Sequence, residues 1–166
     1  TPQSTFDVPP IALGGDRDYS FSPDGKEVVF AMNKDEMLAT STNNDIFIVK
    51  LDDKEFNHHK LSVSIGNDNQ PGYSPDGKYI TFKSMQRAGF EADKQDLMLF
   101  DRKGKKLINV TSKLDISIGE TIWSGDSRYI YYTADKEVNK IFTDMIQKII
   151  DTKRLLKGKV ILMLLL

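Results

Sequence analysis

The chain reads as all-β: a partial β-propeller of about three four-stranded blades built on SPDGK-type turns. Three observations carry this. A ten-residue pattern recurs as FSPDGKEVVF from Phe21, YSPDGKYITF from Tyr73 and WSGDSRYIYY from Trp123. Its aspartates, Asp24, Asp76 and Asp126, are spaced 76 − 24 = 52 and 126 − 76 = 50 residues apart. Each copy also leads into runs that alternate with the period of two that strands require. A period near fifty with turn-and-strand chemistry points to propeller blades, because helical solenoid units run to about 33–47 residues.

The turn has a mechanism. Proline at the second turn position pre-sets φ, and the glycine of Ser-Pro-Asp-Gly takes a positive φ at no steric cost. The product is a type I turn closed by a left-handed glycine. In the third copy Gly125 replaces the proline and Ser127 falls at the glycine position, at a cost of roughly 1 kcal/mol. That turn is expected to be the least rigid of the three.

After the turn, Val28, Ile80 and Ile130 share one register, and Phe30, Phe82 and Tyr132 follow two residues on, on the same strand face. A second run opens at Asp45, Asp96 and Lys140, with Ile46, Leu97 and Ile141 equivalent. A third closes each unit as HKLSVS, KKLINVT and KRLLKG. With the residues before the turn this makes four strands per unit. Taken alone, residues 135–158 would form a helix with Phe142, Met145, Ile149 and Leu156 on one face. The repeat instead assigns strands to Lys140–Met145 and Lys153–Lys157. The organisation is then an N-terminal extension at 1–13, blades at 14–68, 69–115 and 116–158, and the truncated or aberrant start of a further blade at 159–166. A closed propeller has about four to eight blades, so the chain reads as a sector of a larger one. Unpaired blade faces would leave Phe30 or Ile141 near solvent, and open strand edges would invite self-association.

Composition narrows the function classes. The 166 residues are 39% hydrophobic and 28% charged, with a formal net charge of −1, so there is no bulk pull toward nucleic acid or anionic lipid. Cysteine is absent, which excludes disulfides and thiolate metal sites. No basic, apolar leader opens the sequence, and the seven-residue VILMLLL run is far short of the roughly 20 residues a membrane span needs. No cofactor is called for. DDKE and NDN lack the ligand spacing of a calcium loop. His58 and His59 are expected on a solvated connecting loop, where a catalytic base would be hard to assemble. Trp123 is expected to pack between blades.

One segment exceeds what a hairpin needs. Arg87–Lys94, RAGFEADK, lies between two alternating runs, where about 2–5 loop residues would suffice. It is expected to project from the second blade, between its second and third strands. Gly89 permits a sharp bend. If the loop is extended, Glu91 and Asp93 point the same way. The plain alternative is a surface loop tied by an Arg87–Asp93 ion pair.

RDYSFSPDGK, STNNDIFIVKL, GNDNQPGYSPDGKYITF and QRAGFEADKQDLMLFD together resemble the N-terminal β-propeller of bacterial prolyl oligopeptidase-family serine peptidases, in particular the dipeptidyl-peptidase and acylaminoacyl-peptidase-like enzymes. The resemblance runs from about Gly14 to Met145. SPDGK alone is shared with TolB-like propellers, so the rival reading is a non-enzymatic TolB-like propeller acting as a protein-interaction scaffold; STNNDIF and RAGFEADK are more specific. The resemblance implies a propeller that caps an α/β-hydrolase domain, filters substrates by size and holds the substrate's N-terminal end. It implies a peptide substrate and a periplasmic or secreted setting, although the composition is compatible with the cytosol too. Glu91 and Asp93 become candidates to receive the substrate ammonium, Glu91 first. Arg87 would hold a carboxylate or contact a substrate carbonyl, and Phe90 would pack the loop or line the pocket. No Gly-x-Ser-x-Gly elbow occurs in the sequence, so no catalytic residue is assigned and the chain alone is expected to be silent.

Overall fold

The computed structural model describes residues 17–35, 41–134 and 162–163. The extension at 1–13 and the runs Lys140–Met145 and Lys153–Lys157 lie outside these. Among the described residues the regular structure is all strand. The first blade is an antiparallel sheet of β1 (Tyr19–Phe21), β2 (Glu27–Asn33), β3 (Asn44–Lys50) and β4 (His58–Lys60) in sequential order. The second repeats it with β5 (Asp68–Tyr73), β6 (Tyr79–Ser84), β7 (Asp96–Asp101) and β8 (Lys106–Asn109). These two blades belong to one compact unit, Thr1–Lys113.

The other unit, Leu114–Leu166, holds β9 (Ile118–Trp123) paired antiparallel with β10 (Ile130–Ala134). On the far side of β10 lies β11 (Leu162–Met163), in parallel pairing. The repeat frame gives that stretch to a further blade; here it joins the third sheet.

The three turns are built alike. Gly25, Gly77 and Ser127 sit at φ 68°, 67° and 58°, and each donates its N–H to the carbonyl of Ser22, Ser74 or Ser124 at 2.8–2.9 Å. Ser127 therefore adopts the strained conformation its position demands. The serines matter as much as the Pro and Gly on which the sequence reading rests. Each serine hydroxyl donates to the turn aspartate, at 2.6, 2.8 and 2.6 Å, and accepts from the amide of Glu27, Tyr79 or Tyr129 at the close of its turn. This pair survives in the third copy, where Pro and Gly do not, and it holds the turn in shape without them.

The seam between the first two blades is the main core. Val29, Ala31 and Ile46 meet Tyr73, Ile80, Phe82 and Met98, each burial contributing up to about 1.5–3 kcal/mol for the larger side chains. Arg102, beyond β7, crosses the seam to pair with Glu27 and donates to the Gly77 carbonyl at 2.6 Å. A second lock recurs inside each of these two blades. Asp45 accepts from the Ser62 hydroxyl at 2.9 Å, and Ser62 in turn accepts from the Ile46 amide. Asp96, Thr111 and Leu97 repeat that arrangement.

Two expectations are corrected. Phe30 is not near solvent: it is 9% exposed, in a cluster with Met32 and Phe47 on the face of the first blade opposite the seam. His58 and His59 lie on β4 rather than in a loop, and the His58 ring rests edge-on against Phe47 at 5.3 Å, shielding that cluster.

Candidate functional site: the β6–β7 loop

Residues 85–95 join the second and third strands of the second blade, where the sequence places the RAGFEADK loop. They are not extended. Gly89 takes φ 69°, and the Asp93 amide donates back to the Phe90 carbonyl at 3.0 Å. This turn sends the two acids in different directions. Asp93 is buried and Glu91 exposed. The expectation that residues two apart share a side fails here, because it holds only for extended backbone.

Asp93 is the knot of the loop. Its Oδ2 accepts from the backbone amides of Gln86 and Arg87, at 2.9 and 2.8 Å. Its Oδ1 accepts from Arg87 Nε and Nη2, at 2.9 and 2.6 Å. The Arg87 guanidinium foremost, and then the Arg87, Gln86 and Lys94 amides, hold its carboxyl at about 2, against the opposing pull of burial. The guanidinium also lies over the Phe90 ring, 4.1 Å from its centroid, in cation–π geometry. Arg87 is thus clasped between Asp93 and Phe90. Phe90 itself stays 44% exposed.

Glu91 stands apart. It is exposed, and among the described residues its carboxylate has no hydrogen bond or ion pair. A neighbouring acid, Asp96 at the start of β7, is neutralised by Lys94 at 2.8 Å. Glu91 is therefore the free anion on a loop whose other charges are satisfied. The Arg87–Asp93 ion pair that ties the loop is present.

The crest of the loop is fastened to the first blade. The Gly89 amide donates to Thr42 Oγ1 at 3.0 Å, and Thr42 belongs to the STNNDIF stretch before β3. The two stretches singled out in sequence meet here. Nothing local in either marks Thr42 as the contact, because it depends on how the blades stack. Among the described residues no group of three or more His, Cys, Asp or Glu converges as a metal centre, and no helix is long and apolar enough to cross a membrane.

No family model matches the chain. It is 35% identical over 134 residues to dipeptidyl-peptidase 5 of Porphyromonas gingivalis, across 80% of this chain and 19% of that protein. Dipeptidyl-peptidase 5 of Trichophyton equinum is 32% identical over 142 residues, across 79% of this chain and 20% of the relative. The chain thus spans about a fifth of the length of the curated relatives it matches. Among solved structures, TolB from Acinetobacter baumannii superposes with a TM-score of 0.53 at 22% identity, covering 72% of this chain and 26% of that one. The tricorn protease gives 0.53 at 18%, covering 72% and 11%. At such identities these structures speak for the fold alone: a β-propeller.

Proposed function

We propose that this chain, a β-propeller segment related to dipeptidyl-peptidase 5, presents Glu91 to the N-terminal ammonium of a peptide in a serine exopeptidase whose bond-breaking machinery lies elsewhere in the polypeptide. The observation that carries this is the division of labour between the two loop acids. Asp93 is spent on Arg87 and two amides, while Glu91 is exposed and unpaired among the described residues. An enzyme that counts residues from a free amine needs a fixed anion for that amine. A charge-assisted hydrogen bond serves, at roughly twice the strength of a neutral one.

In this reading Arg87 supports the loop and does not read the substrate, since its charge is already matched. The uncovered part of Phe90 offers an apolar wall beside the ammonium. Gating by size belongs to the propeller as a whole. The 166 residues contain no nucleophile elbow, so the isolated chain gives no turnover on dipeptidyl or aminoacyl chromogenic substrates.

The test is Glu91→Gln in the full-length enzyme, assayed on matched substrates with free and acylated N-termini. Losing a hydrogen bond to a charged group, about 1.5–3 kcal/mol, lowers kcat/KM for free amines by about ten- to a hundredfold and leaves blocked substrates unchanged. An equal effect on both substrates would remove the proposal.

A further inference from the structure

The seam between the first and second blades turns polar at one end. There β2 ends on Asn33 and β3 begins on Asn44, a register pair. Across from them β5 begins on Asp68 and β6 ends on Ser84, a second register pair. Both pairs lie on the faces that the two blades turn toward each other, in line with Ala31 and Ile46 on one side and Phe82 on the other. The Asn44 side-chain amide donates to Asn67 Oδ1 at 3.0 Å, which binds the two strand ends together.

Asp68 is 0% exposed. Its Oδ2 accepts from the Ser64 hydroxyl at 2.9 Å, and the Ser84 and Ser62 hydroxyls also face it. Ser62 gives its proton to Asp45. Asp68 Oδ1 has no donor, and neither has Oδ1 of Asn44, which is 1% exposed. The charges nearby are otherwise balanced: Lys60 meets Asp45 at 2.7 Å and Lys94 meets Asp96 at 2.8 Å. Among the described residues no cationic side chain pairs with Asp68. A buried charge without a counter-ion costs several kcal/mol, and a buried polar atom without a partner calls for an unseen water or ion.

Five residues before the aromatic that opens each turn, the three copies have Asp16 before Phe21, Asp68 before Tyr73 and Ile118 before Trp123. The third copy thus fills this place without an acid. Ile118 is 2% exposed, so hydrocarbon fills the same place. Ser84 likewise corresponds to Met32 of the first copy. The carboxylate and its hydroxyls belong to this seam alone among the described residues.

We infer that the polar end of this seam binds a monovalent cation of sodium size, with Asp68 Oδ1 and Asn44 Oδ1 as ligands and the Ser84 hydroxyl as a further neutral oxygen. Hard oxygen donors suit an alkali ion, and one uncompensated negative charge matches one positive charge. Calcium takes 6–8 oxygens, commonly with several carboxylates, which this set does not supply. The ion would join two blades through β3 and β5, and so act as a fastener of the propeller rather than a catalytic metal.

The experiment compares thermal unfolding of the full chain in sodium chloride and in tetramethylammonium chloride at equal ionic strength. Sodium raises the melting temperature by about 2–4 °C, as about 1 kcal/mol of selective binding does for a chain of this size. Sodium-23 NMR shows line broadening with the native chain. Both effects vanish in Asp68→Ile, which installs the residue of the third copy. Asp68→Asn, closer in shape, loses them too and serves if the isoleucine variant fails to fold. Equal melting temperatures in the two salts, meaning that water or a proton occupies the site, would overturn the inference. So would a sodium increment that persists without Asp68.

Discussion

Asp93 and Asp68 are both buried acids of the second blade, and they are treated in opposite ways. Asp93 closes a loop. It receives a guanidinium and two amides, and its carboxyl is held at about 2. Asp68 closes a seam. It receives hydroxyls only, and burial pushes its carboxyl up to about 6. The two acidities diverge because burial outweighs the hydroxyls at Asp68, whereas the Arg87 guanidinium and the backbone amides outweigh burial at Asp93. Asp93 strengthens the fold as an anion, whereas Asp68 strengthens it only when its charge is removed or matched.

The largest expected effect breaks the comparison at Asp68. Its folded-state value lies above the 3.8 of an ordinary Asp. Its stabilising contribution is therefore fully present below about pH 4 and lost as pH rises through about 6. In tetramethylammonium salt the native chain should lose up to about 3 kcal/mol relative to Asp68→Asn across that window, and sodium should recover part of it. Urea titrations at pH 4 and 7 measure this, and a pH-independent difference between the two proteins would contradict the assignment.

Asp93 should show the reverse sign. Its contribution is present above about 3.8 and lost as pH falls through about 2. Asp93→Ala leaves two amides and a guanidinium short of their acceptor and should cost about 2 kcal/mol at neutral pH. Limited proteolysis would then cut within residues 86–93. Unchanged stability together with an uncut loop would mean that the knot is dispensable.

The smallest effect sharpens the same contrast on the backbone. Ser127 occupies a left-handed position that Gly25 and Gly77 fill without strain. Ser127→Gly should stabilise the third turn by about 1 kcal/mol, readable as slower amide exchange around Ser124–Tyr129. Gly77→Ala should cost a similar amount in the second blade.

The repeat, the turns and the position of the β6–β7 loop were legible in sequence because each is local. Turn chemistry sits in five consecutive residues, and strand period shows in six. What was hidden needs two distant segments at once. The inward turn of Asp93 depends on the Phe90–Asp93 hydrogen bond and the Gly89 bend, which defeat a reading based on alternation. Thr42 and Gly89 become neighbours only when blades stack. Asp68 sat in plain view in the NDN stretch. Calcium-loop spacing does not reveal it, because its partners Ser62, Ser64 and Ser84 lie outside that stretch.

The hydrogen bond from Gly89 to Thr42 completes a triangle. The loop is anchored at its root in the second blade by Asp93 and at its crest to the first blade by Thr42, while the seam forms the third side. A triangulated strut transmits angle into position. If the two blades swivel, the crest must travel or its tie must part, and Glu91, two residues beyond Gly89, rides with it. The location of that carboxylate is therefore a readout of how tightly the two blades are drawn together.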